Sequence, residues 1–159
     1  MTPARDALRP VADYLPHRPP LLLIDDIVEV DDRRAVCRTT IHPDCVFAID
    51  GAVHPSAMIE FVAQVCAIYV GVLSARDGDP PRLGLIMACR EVDLPADGFA
   101  VGDELTIVAT KVFGQKQLAA FTGTVSRGGE LCATVQLSVI DAELAAIPPS
   151  GQDAGGEPT

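Results

Sequence analysis

The stretch SAMIEFVAQVCAIYVGVLSA, residues 56–75, constrains this chain more than any other. Between Ala57 and Leu73 only Glu60 and Gln64 carry strongly polar side chains. Pro55 suits a first helical position, where its missing N–H costs nothing. Asp77-Gly78-Asp79-Pro80-Pro81 stops the element. The pattern predicts a helix of about 18 residues, apolar nearly all round, and such a helix is buried. One small sheet covers only part of it, so the chain is expected to pair as a homodimer through the sheet edge and helix region. No run of about 18 apolar residues lacks a charge or a glycine, so no membrane-spanning helix is expected. The opening MTPARDALRPVADYLP has no apolar core of a signal peptide, which points to a cytoplasmic protein.

The rest reads mainly as strands. LLLIDDIVEV (21–30) and residues 34–41 form a hairpin signal around Asp31-Asp32-Arg33. A short helical turn is expected near Val11–Tyr14. Residues 42–55 have no clear period and read as a long loop, of the kind that often carries function. Residues 83–92 are continuously apolar, as in a strand covered on both faces or at a dimer seam. Residues 104–113 and 118–125 follow, and 131–139 alternate strictly beyond the Gly128-Gly129 turn. The order gives an α+β fold: a curved antiparallel sheet wrapped around one long central helix. One domain over 1–147 is expected, with 148–159 a disordered tail.

Charge and motifs exclude several function classes. Lys plus Arg is 12 and Asp plus Glu is 22, a net charge of −10. Nucleic acid and anionic membranes would be repelled. The five cysteines are scattered, without a CxxC pair, and read as buried free thiols. The three histidines lack metal-site spacing, and no nucleotide-binding or GxSxG motif is present. No metal and no cofactor are expected.

The chemistry-bearing candidates lie around the helix start. A carboxylate at Glu60, among apolar neighbours, is expensive unless paired, used, or pointed into solvent. Gln64 lies one turn on and can hydrogen-bond it. His54, held extended by Pro55, is either a base or a helix cap. Amides at the helix start can polarise a carbonyl oxygen. Asp50 with Gly51 either makes a turn or competes with His54 for the catalytic role. His17, among prolines, reads as a structural hydrogen-bonding residue, and His42 as an exposed loop residue.

These residues also carry a resemblance. Leu15-Pro16-His17-Arg18-Pro19-Pro20-Leu21-Leu22-Leu23-Ile24-Asp25 resembles the "LPHR-P-LL-D" opening of hot-dog-fold β-hydroxyacyl-[acyl carrier protein] dehydratases. Glu60-Phe61-Val62-Ala63-Gln64 resembles their "E-x-x-A-Q". The likeness covers about residues 10–141 and is greatest to the ApeP-like branch. It implies a hot-dog fold and a site at a dimer interface, with a histidine and a glutamate from different subunits. It implies dehydration of a 3-hydroxyacyl thioester on acyl carrier protein or coenzyme A, with Glu60 as acid; His54, or else Asp50, is expected to stand in for the family's basic histidine, with Asp50, Gly51, Pro55 and Gln64 around the substrate. One departure stands out: the family's catalytic His lies fourteen residues before the helix Glu, which is Val46 here, and Val46-Phe47-Ala48-Ile49-Asp50-Gly51 contains no histidine. An acyl thioesterase, or a non-catalytic partner subunit of a dehydratase, are the alternatives on the same fold. Arg18, Arg82, Arg90, Lys111 and Lys116 are the basic side chains available to an acidic carrier.

Overall fold

The computed structural model describes residues 7–80, 82–115 and 118–142. After a single 3-10 turn at Val11–Asp13, strands β1 (Asp26–Val30) and β2 (Arg34–Thr40) form the expected hairpin. The Asp31 carboxylate closes its turn by accepting the N–H groups of Arg33 and Arg34, both at 2.8 Å. Those amide bonds, chiefly the one from Arg33, hold the Asp31 carboxyl below its ordinary pKa.

Strands β5 (Gly84–Asp93), β7 (Glu104–Gln115), β8 (Leu118–Arg127) and β9 (Glu130–Asp141) complete a sheet of six. Its order is β1-β2-β7-β8-β9-β5, and every pairing is antiparallel. The alternation read at 131–139 appears in β9, where Ala133, Val135 and Leu137 face the core. The helix α1 (Met58–Arg76) lies across β2, β7, β8 and β9. Phe61, Val65, Ile68 and Tyr69 on its inner face meet Ile107, Phe121 and Val135 in one buried cluster. Contact is closest at Gly123, where an added Cβ would lie 2.1 Å from a Val62 methyl.

By length and composition alone, the helical span Pro55–Arg76 could cross a membrane, but 61% of its apolar window is buried inside the protein. Its apolar character is that of a core helix. Three of the five thiols are buried as expected, with desolvation pushing the Cys37 pKa up to about 12; Cys45 is half-buried and Cys89 exposed.

Two local readings change. Residues 21–25 are not strand: Leu21 and Leu22 N–H close a turn on the Arg18 carbonyl, only Asp25 N–H reaches β2, at Arg38 O, and the groups between bond to side chains. Gln64 takes the Leu21 carbonyl and the Leu23 N–H, and the Thr39 hydroxyl donates to the Leu23 carbonyl at 2.6 Å. The loop at 42–55 contains β3 (Ala48–Ile49) and β4 (Ala52–Val53), which join β6 (Phe99–Ala100) in a small second sheet. Asp50 (φ 53°) and Gly51 (φ 77°) form its two-residue tip, the left-handed pair that a tight hairpin requires. Of the two readings of 83–92, cover on both faces does not hold within the chain: β5 is an edge strand, with Leu85, Ile86 and Met87 exposed. The expected tail at 148–159 lies outside the described residues.

Candidate active site

The short 3-10 turn Pro55–Ala57 leads into α1. From there one stripe of the helix faces away from the sheet core: Glu60, Ala63, Ala67, Val70, Ser74 and Asp77, at alternating spacings of three and four. This stripe lines a cavity of about 690 Å³. Leu83–Ile86, Phe121, Val139 and Ile140 supply other walls, and His17 stands with Glu60 among the lining residues. The small side chains Ala63 and Ala67 open the groove next to Glu60. Residues 60 to 77 span about 25 Å of helix axis at 1.5 Å per residue.

Glu60 is held from two sides. The Gln64 amide donates to its Oε1 at 3.1 Å, and His17 Nε2 stands 3.7 Å from the same oxygen. The pair is half-open, with His17 and Glu60 side chains 28% and 38% exposed, so both groups reach the cavity space. Gln64 itself is buried. It donates to Leu21 O (2.8 Å) and to Glu60, and accepts from Leu23 N–H (2.9 Å). Both of its N–H groups are therefore spent inside the protein. It ties Glu60 to the loop after His17, making the one-turn hydrogen bond to Glu60 that the spacing suggested.

The remaining candidates lie apart from this pair. His54 caps the 3-10 turn: its Nδ1 accepts the Ser56 N–H at 3.2 Å and lies 2.8 Å from the Ser56 hydroxyl. The ring is exposed and is not among the cavity-lining residues. Pro55 is buried beneath the turn, and Asp50 and Gly51 sit at the exposed hairpin tip. The amides expected to hold a carbonyl oxygen are already engaged. Ser56 N–H meets His54 Nδ1, Ala57 N–H bonds His54 O, and Met58 N–H bonds Pro55 O and Ser56 O.

His17 is brought beside Glu60, a contact that local sequence reasoning did not expect. Its partner is distant in sequence, and only the "LPHR" resemblance marked the segment. A structural hydrogen-bonding role does not describe it: Nδ1 is buried without a hydrogen-bond partner among the described residues. What is held is its backbone, because the Arg18 guanidinium donates to His17 O and Leu15 O, both at 2.7 Å. Among the described residues no cluster of three His, Cys, Asp or Glu is placed to hold a metal ion. A second groove, of about 620 Å³, is lined by Arg9, Arg18 and Arg82 with Asp13, and shares Arg82 and Leu83 with the cavity.

The ApeP-like family model, described as ApeP dehydratase, matches residues 9–147. The chain belongs to the ApeP-like dehydratase family. A curated relative is the 3-hydroxyacyl-[acyl-carrier-protein] dehydratase FabZ of Acinetobacter baylyi, 26% identical over 83% of this chain and 92% of that protein. FabZ of Acinetobacter baumannii is 25% identical over 83% of this chain and 93% of its own length. Among solved structures, the dehydratase heterocomplex ApeI:P from Xenorhabdus doucetiae superposes with a TM-score of 0.81 at 24% identity, covering 88% of this chain and 99% of that one. A hypothetical thioesterase with coenzyme A from Streptococcus pneumoniae gives 0.58 at 14% identity, over 73% of this chain and 84% of that one. These likenesses establish the hot-dog fold, as the resemblance implied.

Proposed function

We propose that this ApeP-like chain dehydrates a 3-hydroxyacyl thioester to the trans-2-enoyl thioester. One observation carries the reading: the Glu60 carboxylate, held by Gln64 at the edge of a long cavity with mostly apolar walls. A flexible acyl chain fits such a groove, and a proton-transfer group at its end acts on carbons near the thioester. Glu60 gives its proton to the departing hydroxyl. The thioester itself acidifies the α-carbon, so the step calls for no metal or redox cofactor. The resemblance assigns removal of the α-proton to a second subunit, where His54 is the candidate.

The acyl group arrives on acyl carrier protein or coenzyme A. Both are acidic, and Arg9 and Arg18 of the groove beside the cavity are the candidate contacts, since its Arg82 is paired with Asp141 at 2.9 Å. The exposed edge of β5 is the proposed seam for a second hot-dog chain, either a copy or a relative. The ApeI:P heterocomplex supports a relative. The proposed setting is the cytoplasm.

The test is product identity. Purified protein, alone and with a co-expressed hot-dog relative, is incubated with 3-hydroxyacyl thioesters of several chain lengths. Enoyl thioester with loss of water is expected. Free thiol without enoyl product would instead identify a hydrolase, and no conversion in either setting would refute an enzymatic role.

A further inference from the structure

We infer that His17 of the same chain, rather than His54, exchanges protons with Glu60 in the reaction proposed above. The inference rests on that dehydratase reading. It starts from the juxtaposition of His17 Nε2 and Glu60 Oε1, 3.7 Å apart on the wall of one cavity. That gap is too long for a direct hydrogen bond. A single oxygen about 2.8 Å from each closes the triangle, so one substrate hydroxyl, or the water it becomes, touches both groups.

The two histidines differ in what fixes their protons. At His54 a backbone N–H donates to Nδ1, so the neutral ring carries its proton on Nε2 and presents a donor. At His17 no hydrogen bond among the described residues holds Nδ1, so either nitrogen can carry the proton and Nε2 can present a lone pair to the cavity. A buried polar atom left unpaired is a cost that a purely structural histidine would avoid. The same Gln64 amide that orients Glu60 bonds the backbone at Leu21 and Leu23, just past His17. One side chain thus fixes the spacing of the pair.

The step balances within the pair. His17 Nε2 takes the α-proton, and the C–H electron pair becomes the Cα–Cβ double bond. The Cβ–O bond breaks with its pair on oxygen, Glu60 protonates that oxygen, and water leaves. The imidazolium then returns its proton to the Glu60 carboxylate through the departing water. No co-reactant is needed.

The test compares wild type, His17→Gln and His54→Ala with a series of 3-hydroxyacyl-CoA substrates, alongside thermal unfolding of each protein. Enoyl formation by the wild type, and a loss of about 100-fold or more in His17→Gln with its unfolding transition kept, is expected. If the wild type forms no enoyl product, the dehydratase reading fails and this inference falls with it. If the wild type is active and His17→Gln matches it while His54→Ala loses turnover, only the inference is overturned. Should His17→Gln not fold, diethyl pyrocarbonate on the wild type decides. Loss of turnover should track carbethoxylation of His17 and be slowed by substrate; loss that tracks His54 with His17 unmodified overturns it.

Discussion

Gln64 is the residue on which the site depends without touching the chemistry. Its amide makes three hydrogen bonds that span α1, the Leu21–Leu23 loop and the Glu60 carboxylate. Gln64→Leu keeps the bulk but strands a buried carbonyl and N–H, which costs about 1–3 kcal/mol. It also frees Glu60 to rotate. A positioning role predicts that kcat falls while KM changes little, and that Gln64→Glu does not restore kcat, because a carboxylate there would repel Glu60. A fall in stability with kcat intact would reduce Gln64 to a structural residue. Glu60 itself was legible in the sequence because a carboxylate in so apolar a helix demands a reason. The approach of His17 to Glu60 was not, because it joins residues forty-odd positions apart in the chain. For His54 the sequence left a base or a helix cap open, and in this chain the side chain makes the capping contact.

Among elements, α1 was read almost to its ends, since length, Pro55 and the Asp-Gly-Asp-Pro stop all agree. The long strands β7, β8 and β9 were read for the same reason, with turn residues between clear patterns. The reading failed at Leu21–Asp25, where apolar content looks like strand. There Gln64 and Thr39 satisfy Leu21 O and both backbone groups of Leu23, and a side-chain partner from another element leaves no local trace. Also invisible was how near the sheet comes to α1. Gly123 faces Val62, whose branched side chain has little freedom to move aside. Gly123→Ala is therefore expected to destabilise the fold by about 1–3 kcal/mol through overpacking, measured by denaturant unfolding. An unchanged midpoint would mean that α1 shifts without cost and that its fit against β8 is loose.

At the scale of the whole molecule, the apolar run at 83–92 announced a strand that is covered or seamed, and within one chain it is neither. β5 ends the sheet with Leu85, Ile86 and Met87 exposed, the kind of edge that proteins protect by pairing. Pairing there would set a second chain beside Leu83–Ile86, which also wall the cavity. Light scattering at micromolar concentration should find an assembly larger than one chain, with a copy or with a hot-dog relative. Met87→Lys, placing a charge on the edge, should weaken it. A wild-type chain that stays monomeric in both settings would contradict the proposed seam.

The whole account turns on one carboxylate in one groove, so the most direct measurement is the enoyl-forming rate of Glu60→Gln against wild type on the same 3-hydroxyacyl thioester. The amide keeps the shape and can still accept the Gln64 hydrogen bond, but it cannot give up a proton to the leaving hydroxyl. A loss of about 100-fold or more, with the fold and assembly retained, is the result expected of a proton donor. Equal rates in the two proteins would contradict it.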